Sequence, residues 1–300
     1  MMQNDFLAAI QSSDKDVRFE AWRGAGGQDP AVIAQLAPLT VKNDNPGVAK
    51  AAREAIITLT HAVGADVADA RRAAVEKQLL ALTGPGSGLG IRVLALRMLS
   101  NIGGDAAVPV VAKLLADKAV QEEAVFALER IPGAASEKAL LAAYGAAGAF
   151  QPRVLAALAH RKVEAAVPLC LAAMRSPAKA MQEAGGRALA RIGKRPADRP
   201  LVWNVNTDPD NLLRFADARR DQGLAAEAIG IYKSMLARSE EHLQCAAVVG
   251  LAKTATPEAA AALLPALKHR NARVRLTAQQ AWKRMASTSP SRRSHQAEPA

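Results

Sequence analysis

Chemistry would first be sought at the histidines, His61, His160, His242, His269 and His295. Two histidines four apart on a helix, with a glutamate after the first, hold zinc and set a general base beside it. No pair here has that arrangement. His160 and Glu164 are four apart but straddle a predicted turn, and His242 follows Glu240 and Glu241 with no partner at ligand spacing. Cys170 and Cys245 form no Cys-x-x-Cys and lie in apolar segments, so they read as buried reduced thiols rather than a disulfide or zinc framework. Gly84 to Gly90 contains a Gly-x-Gly-x-Gly spacing, but it follows a predicted helix rather than a strand, which makes it a loop and not a dinucleotide cradle. Neither a Gly-x-Ser-x-Gly elbow nor a phosphate-binding loop occurs. The expectation is a chain with no catalytic residue, no metal and no cofactor.

Charge offers the other chemistry. The formal net charge is +11, and it is local. Residues 268–293 hold eight basic residues and no acid, and residues 175–199 hold seven basic residues against Glu183 and Asp198. The candidate binding surface is Arg187, Arg191, Lys194 and Arg195 together with Arg270, Arg273, Arg275, Lys283 and Arg284. A clustered basic face attracts phosphates or an acidic protein surface in a salt-dependent way. The plainer reading is a solvated terminal helix whose cations suit the negative end of its dipole. Arg187, Arg191 and Arg195 are four apart, yet Arg195 precedes Pro196, which disfavours carrying the helix that far.

The elements that must position these residues are helices. Of 300 residues, half are apolar and only 3% aromatic, which disfavours sandwiches, jelly rolls and ring-lined binding barrels. A Leu-x-x-Ile pattern recurs at Leu99/Ile102, Leu128/Ile131, Leu158/Arg161 and Leu189/Ile192, in steps close to 30 residues. A small or β-branched residue precedes each leucine by four: Ala95, Ala124, Val154 and Gly185. Spacings of three and four place these on one helical face. Between successive helices stand Gly103-Gly104, Pro132-Gly133 and Gly193, which predict left-handed caps. Pro109 and Pro168 suit the start of a second helix, whereas Pro38 and Pro265 fall late in theirs and predict bends. The unit is a helical hairpin that cannot bury its apolar face alone, so neighbours must stack.

These residues resemble HEAT repeats, in the bacterial form called PBS-lyase-like. The fullest copy runs from Gly90-Ile91-Arg92-Val93 through Leu99, Ile102-Gly103-Gly104-Asp105 and Ala107-Val108-Pro109 to Leu114-Leu115-Ala116-Asp117. Its opening recurs as Asp14 to Arg18 and Asn271 to Arg275, and more weakly as Asp44 to Val48. About eight units follow: 13–40, 44–83, 88–117, 118–147, 148–175, 176–202, 239–268 and a half-unit at 269–286. Residues 209–238, with Gln222-Gly223, Ala228 and Tyr232, are similar to a tetratricopeptide hairpin. The resemblance implies an all-α fold, a right-handed α-α superhelix of stacked hairpins. It also implies that Arg18, Arg92 and Arg275 form ladders to neighbouring acids. The expected division is an array over 1–202, the tetratricopeptide-like hairpin with further repeats over 203–286, and a disordered basic tail at 287–300.

Three enzyme classes use such repeats. Di-iron hydroxylases carry repeated His-Glu dipeptides, which this chain lacks. Glycosylases need a basic groove with tryptophan and an acid; of Trp22, Trp203 and Trp282, only Trp203 has acids nearby, at Asp208 and Asp210. Nothing beyond the repeat points to a chromophore lyase. The expected function is a non-catalytic scaffold or adaptor that binds a protein partner on a concave face lined by second helices. The alternative is a nucleic-acid binder acting through its basic C-terminal third. No uncharged stretch exceeds 14 residues and no secretory signal opens the chain, so no membrane contact and a cytoplasmic location are expected.

Overall fold

The computed structural model describes residues 3–41, 45–193 and 208–288, and these contain helices and no strand. The chain forms two compact units, one up to Arg161 and one from Lys162 onward. The division expected after residue 202 falls in 194–207, outside the described residues.

The first unit contains α1 (Gln3–Ile10), α2 (Lys15–Arg23), α3 (Val32–Leu39), α4 (Pro46–Ala65), α5 (Arg72–Ala81), α6 (Leu89–Ile102), α7 (Val108–Lys113), α8 (Gln121–Arg130), α9 (Ala134–Tyr144) and α10 (Gln151–His160). Helices α2, α4, α6, α8 and α10 pack side by side in one layer, and α3, α5, α7 and α9 form a second layer against it. Phe6 and Ile10 of α1 are fully buried, and α1 packs on α2 and α4.

The second unit contains α11 (Val167–Ala173), α12 (Lys179–Ile192), α13 (Pro209–Asp221), α14 (Ala225–Leu236), α15 (Glu241–Thr254), α16 (Pro257–Leu263) and α17 (Ala272–Thr288). Its first layer runs α12, α13, α15, α17, with α11, α14 and α16 beside them. The expected tail thus begins inside α17, and its remainder, 289–300, lies outside the described residues.

Local sequence explains the helix starts. The side chains of Asp14, Asn45, Asp208 and Thr256 accept hydrogen bonds from backbone N–H groups of the first turn. Pro46, Pro109, Pro168, Pro209 and Pro257 stand in first turns, where their missing N–H costs nothing. Every leucine of the Leu-x-x-Ile pattern is fully buried, and so are Ile102 and Ile131.

Two expectations about chain breakers are corrected. Gly133 and Gly193 do adopt positive φ, but Gly103 has φ −58°. Glycine is required at 103 by crowding instead, because a Cβ there would stand 2.6 Å from the Leu99 carbonyl oxygen and 2.9 Å from Ile131. Pro265 does not bend an α-helix; it sits in the first turn of a 3-10 segment, Leu264–Lys268, that takes over where α16 ends.

Candidate functional site

In the first unit one position repeats along the outward side of the first layer, two residues beyond each buried leucine. It is held by His61 on α4, Asn101 on α6, Arg130 on α8 and His160 on α10. With Gly64, Ser100 and Glu129 these line a groove of about 580 Å³. Its side chains interlock across helices. Asn101 Nδ2 lies 3.4 Å from His61 Nε2, and His160 Nδ1 lies 3.4 Å from Glu129. Arg153 of α10 donates to Glu122 at 2.6 Å and to Glu129 at 2.9 Å, while Arg97 of α6 lies 3.4 Å from Glu123. The groove is amphoteric and formed at helix C-termini, where cations are favoured.

Two of the first helices also carry exposed aromatic side chains. Phe126 is 37% exposed, with the Arg130 guanidinium 5.4 Å from its ring centre. Phe19 on α2 is 44% exposed, with Arg23 5.9 Å from its ring and Trp22 edge-on at 5.2 Å.

The described basic residues of the candidate binding surface lie on α12 and on or just before α17 in the second unit. Arg187 lies 3.7 Å from Glu183, one turn away on α12, and Arg191 is exposed. Lys194 and Arg195 lie outside the described residues, so the arginine stripe cannot be followed past Gly193. Arg270 precedes α17, and Arg273, Lys283 and Arg284 are exposed on it. Helices α13 and α15 stand between α12 and α17 in the layer, which separates the two sets by three interaxial steps of roughly 8–10 Å each.

The expected ladder of Arg18, Arg92 and Arg275 is corrected in part. Each arginine folds back onto carbonyls of the loop before its own helix. Arg18 donates to Ser12 and Ser13 at 2.7 and 2.8 Å, Arg92 to Thr83 at 2.9 Å, and Arg275 to His269 at 2.7 Å. Only Arg92 among these three also pairs with an acid, Asp117 at 2.5 Å, and that guanidinium holds the Asp117 carboxyl below its usual range. Loop carbonyls win because they are fixed and near, while acids one repeat away vary.

Sequence reasoning missed a different arginine role. Arg161 occupies the isoleucine place of its repeat, and Arg219 occupies the corresponding place in α13. Both reach one first-layer helix back. Arg161 donates to the carbonyls of Ile131 at 2.6 Å and Gly133 at 2.8 Å, closing the end of α8. Arg219 donates to Gly193 at 2.9 Å and, through two bonds of 3.0 and 2.8 Å, to Glu227. For Arg161 the signal was the break in the Leu-x-x-Ile pattern itself, whereas Ala216 to Arg219 carries no copy of that pattern.

Also missed was a groove of about 380 Å³ between α15 and α17, lined by Val249, Ala252, Lys253, Ala255, Thr277, Gln280, Ala281, Arg284 and Met285. Elsewhere the chemistry is quiet. Burial pushes the Cys170 thiol up to about 12, and Cys245 is half-buried with its sulfur 3.6 Å from Thr277 Oγ1. Trp282 is half-buried against the core, and Trp203 lies outside the described residues. Among the described residues, no group of three His, Cys, Asp or Glu side chains is placed to hold a metal, and no helix is long and apolar enough to cross a membrane.

No family model matches the sequence, and no curated protein matches it. Similar solved structures include the complex of CpcE and CpcF of phycocyanin lyase from Nostoc sp. PCC7120, at 20% identity over 95% of each chain and TM-score 0.32. Human deoxyhypusine hydroxylase in complex with glycerol is similar at 14% identity over 96% of each chain and TM-score 0.31. The Pds5-Scc1 complex is similar at 9% identity over 99% of this chain and 58% of that one, with TM-score 0.37. At these values nothing about activity or partners transfers. The chain is an all-α helical-repeat protein.

Proposed function

We propose that the protein is a non-catalytic scaffold that binds a protein partner, built from HEAT-like repeats of the PBS-lyase-like form with one tetratricopeptide-like hairpin at 209–238. The observation that carries the reading is the display of Phe19 with Arg23, and Phe126 with Arg130, on the outward side of the first helices. Aromatic rings and arginines dominate binding energy at protein interfaces, and this chain is only 3% aromatic, so exposing two rings is costly without a partner. This favours the first helices over the second helices as the binding face. The exposed positions of α3, α5, α7 and α9 are alanine, proline, lysine and glutamine with one large apolar side chain, Val110 at 38%, and they include no exposed ring.

The experiment replaces Phe126 with a photo-crosslinking phenylalanine analogue in the full chain, in its native cell, with Ala73 as the control position. A reproducible protein adduct at 126, absent at 73 and reduced at least tenfold by Arg130→Glu, is expected. Adducts only to nucleic acid, or none above the control, would contradict it.

A second reading, binding of a phosphate backbone by α17, is favoured by the absence of any acid from 268 to 293. Against it, Arg275 is spent on loop carbonyls and Arg273 lies 3.5 Å from Glu241. Retention on DNA that fell steeply with salt and vanished in Lys283→Glu would support this second reading.

A further inference from the structure

We infer that the groove between α15 and α17 docks a segment of a partner protein that carries one bulky apolar side chain flanked by acidic residues. This deepens the protein-binding reading and rests on it. Helices α15 and α17 pack against each other, but small side chains leave a trench where they meet. Ala252 and Ala255 on one side and Ala281 on the other make the depression, and Val249 and Met285 give it apolar walls. Val249 is 38% exposed, so an apolar surface stands wet in the absence of an occupant. Thr277, which lines the trench, has its Oγ1 3.6 Å from Cys245 Sγ across the α15–α17 contact. At about 380 Å³ the trench falls at the small end of the roughly 300–1,000 Å³ range of ligand-sized pockets, room for one large side chain rather than a helix.

The rim selects the flanks. Lys253 stands on the α15 side and Arg284 on the α17 side. Arg273 and Arg284 are eleven residues apart, close to three full turns, so they share a face of α17 roughly 16 Å apart with the trench between them. The nearest acid on α15, Glu241, is engaged by Arg273 at 3.5 Å and by Asn271 at 2.8 Å. Lys253 and Arg284 thus place a cation on each side of an apolar floor. A nucleic-acid backbone fits this poorly, since its phosphates would bridge the arginines and leave the apolar floor in water, whereas an acidic peptide with one apolar anchor meets both features at once.

The experiment displays a random dodecapeptide library on phage against the full chain, then measures a dye-labelled consensus peptide by fluorescence anisotropy. The expected consensus has one large aliphatic or aromatic residue with acids on both sides. Its affinity should fall at least tenfold in Ala252→Phe, which fills the trench. It should fall similarly in the double variant Lys253→Glu with Arg284→Glu, whose surface changes leave the melting temperature within a few degrees. A consensus without acids, binding indifferent to the charge reversal, or no enrichment over bare resin would overturn the docking site. If the adduct at Phe126 survives while this consensus fails, the groove proposal falls alone. If both fail, the protein-binding reading falls with it.

Discussion

The two units place opposite chemistry at the same point of the stack. Where first helices end in the unit up to Arg161, the surface is a polar groove edged by His61, Asn101, Glu129 and His160. Where α15 ends beside α17, it is an apolar trench with a cationic rim. The joints beneath differ as well. Helices α6 and α8 meet through leucine, isoleucine and Gly103, whereas α13, α14 and α15 meet around Tyr232. That ring is 1% exposed, its hydroxyl lies 2.7 Å from Asp217, and its edge leaves no room for a Cβ on Gly250. The backbone plan is shared, and single side chains decide both how neighbours are joined and what the outside can bind.

The largest effect that would break this comparison is at Tyr232. Tyr232→Ala should cost about 3–5 kcal/mol, as truncation of a buried aromatic does, read from urea denaturation. A cost below about 1 kcal/mol would show that the second unit does not depend on that ring. Next come the arginine clamps. Arg219→Ala and Arg161→Ala each strand buried carbonyls and should cost about 1–3 kcal/mol. Arg161→Ile restores the repeat's own residue and should recover only part of that loss. A variant more stable than the parent would mean that Arg161 serves only to fill space.

A smaller effect separates the units by pH. Burial raises the Cys170 thiol to about 12, and burial together with the Asp217 carboxylate raises the Tyr232 phenol as well. Both groups are held neutral in the folded chain. Their contribution is complete below the unfolded values, about 8.5 for cysteine and about 10 for tyrosine, and is lost as pH climbs from there toward the folded values. Both lie in the second unit, so melting followed from pH 8 to 11 should show that unit failing first, with Cys170→Ala blunting the trend. Simultaneous loss of both units would contradict this. The smallest effect is at Phe126, where Phe126→Ala should move stability by no more than about 0.5 kcal/mol while removing the crosslinked partner.

Much of the fold was legible in the residues. The hairpins at 88–117 and 118–147 could be read because Leu99, Ile102, Leu128 and Ile131 keep a helical period that burial enforces, and those at 13–40 and 44–83 from the opening that recurs at Asp14 to Arg18 and Asp44 to Val48. The surface was less legible, because nothing periodic constrains it. Arg270, Arg273, Lys283 and Arg284 could be named from charge, but not the trench, whose Ala252 and Ala281 are 29 residues apart in sequence and carry no signal of their own. Arg275 looked like a surface cation and is a loop clamp. Arg161 looked like a defect in a pattern, Arg219 was not singled out, and both are joints.

Hydrogen–deuterium exchange of the full chain, alone and with its crosslink-identified partner, tests the central claim most directly. Binding by the outward side of the first helices predicts slowed exchange at the C-terminal turns of α6 and α8, from Arg97 to Gly103 and from Phe126 to Ile131, with α5 and α7 unchanged. Protection confined to α5 and α7, with those turns exchanging as before, would contradict it.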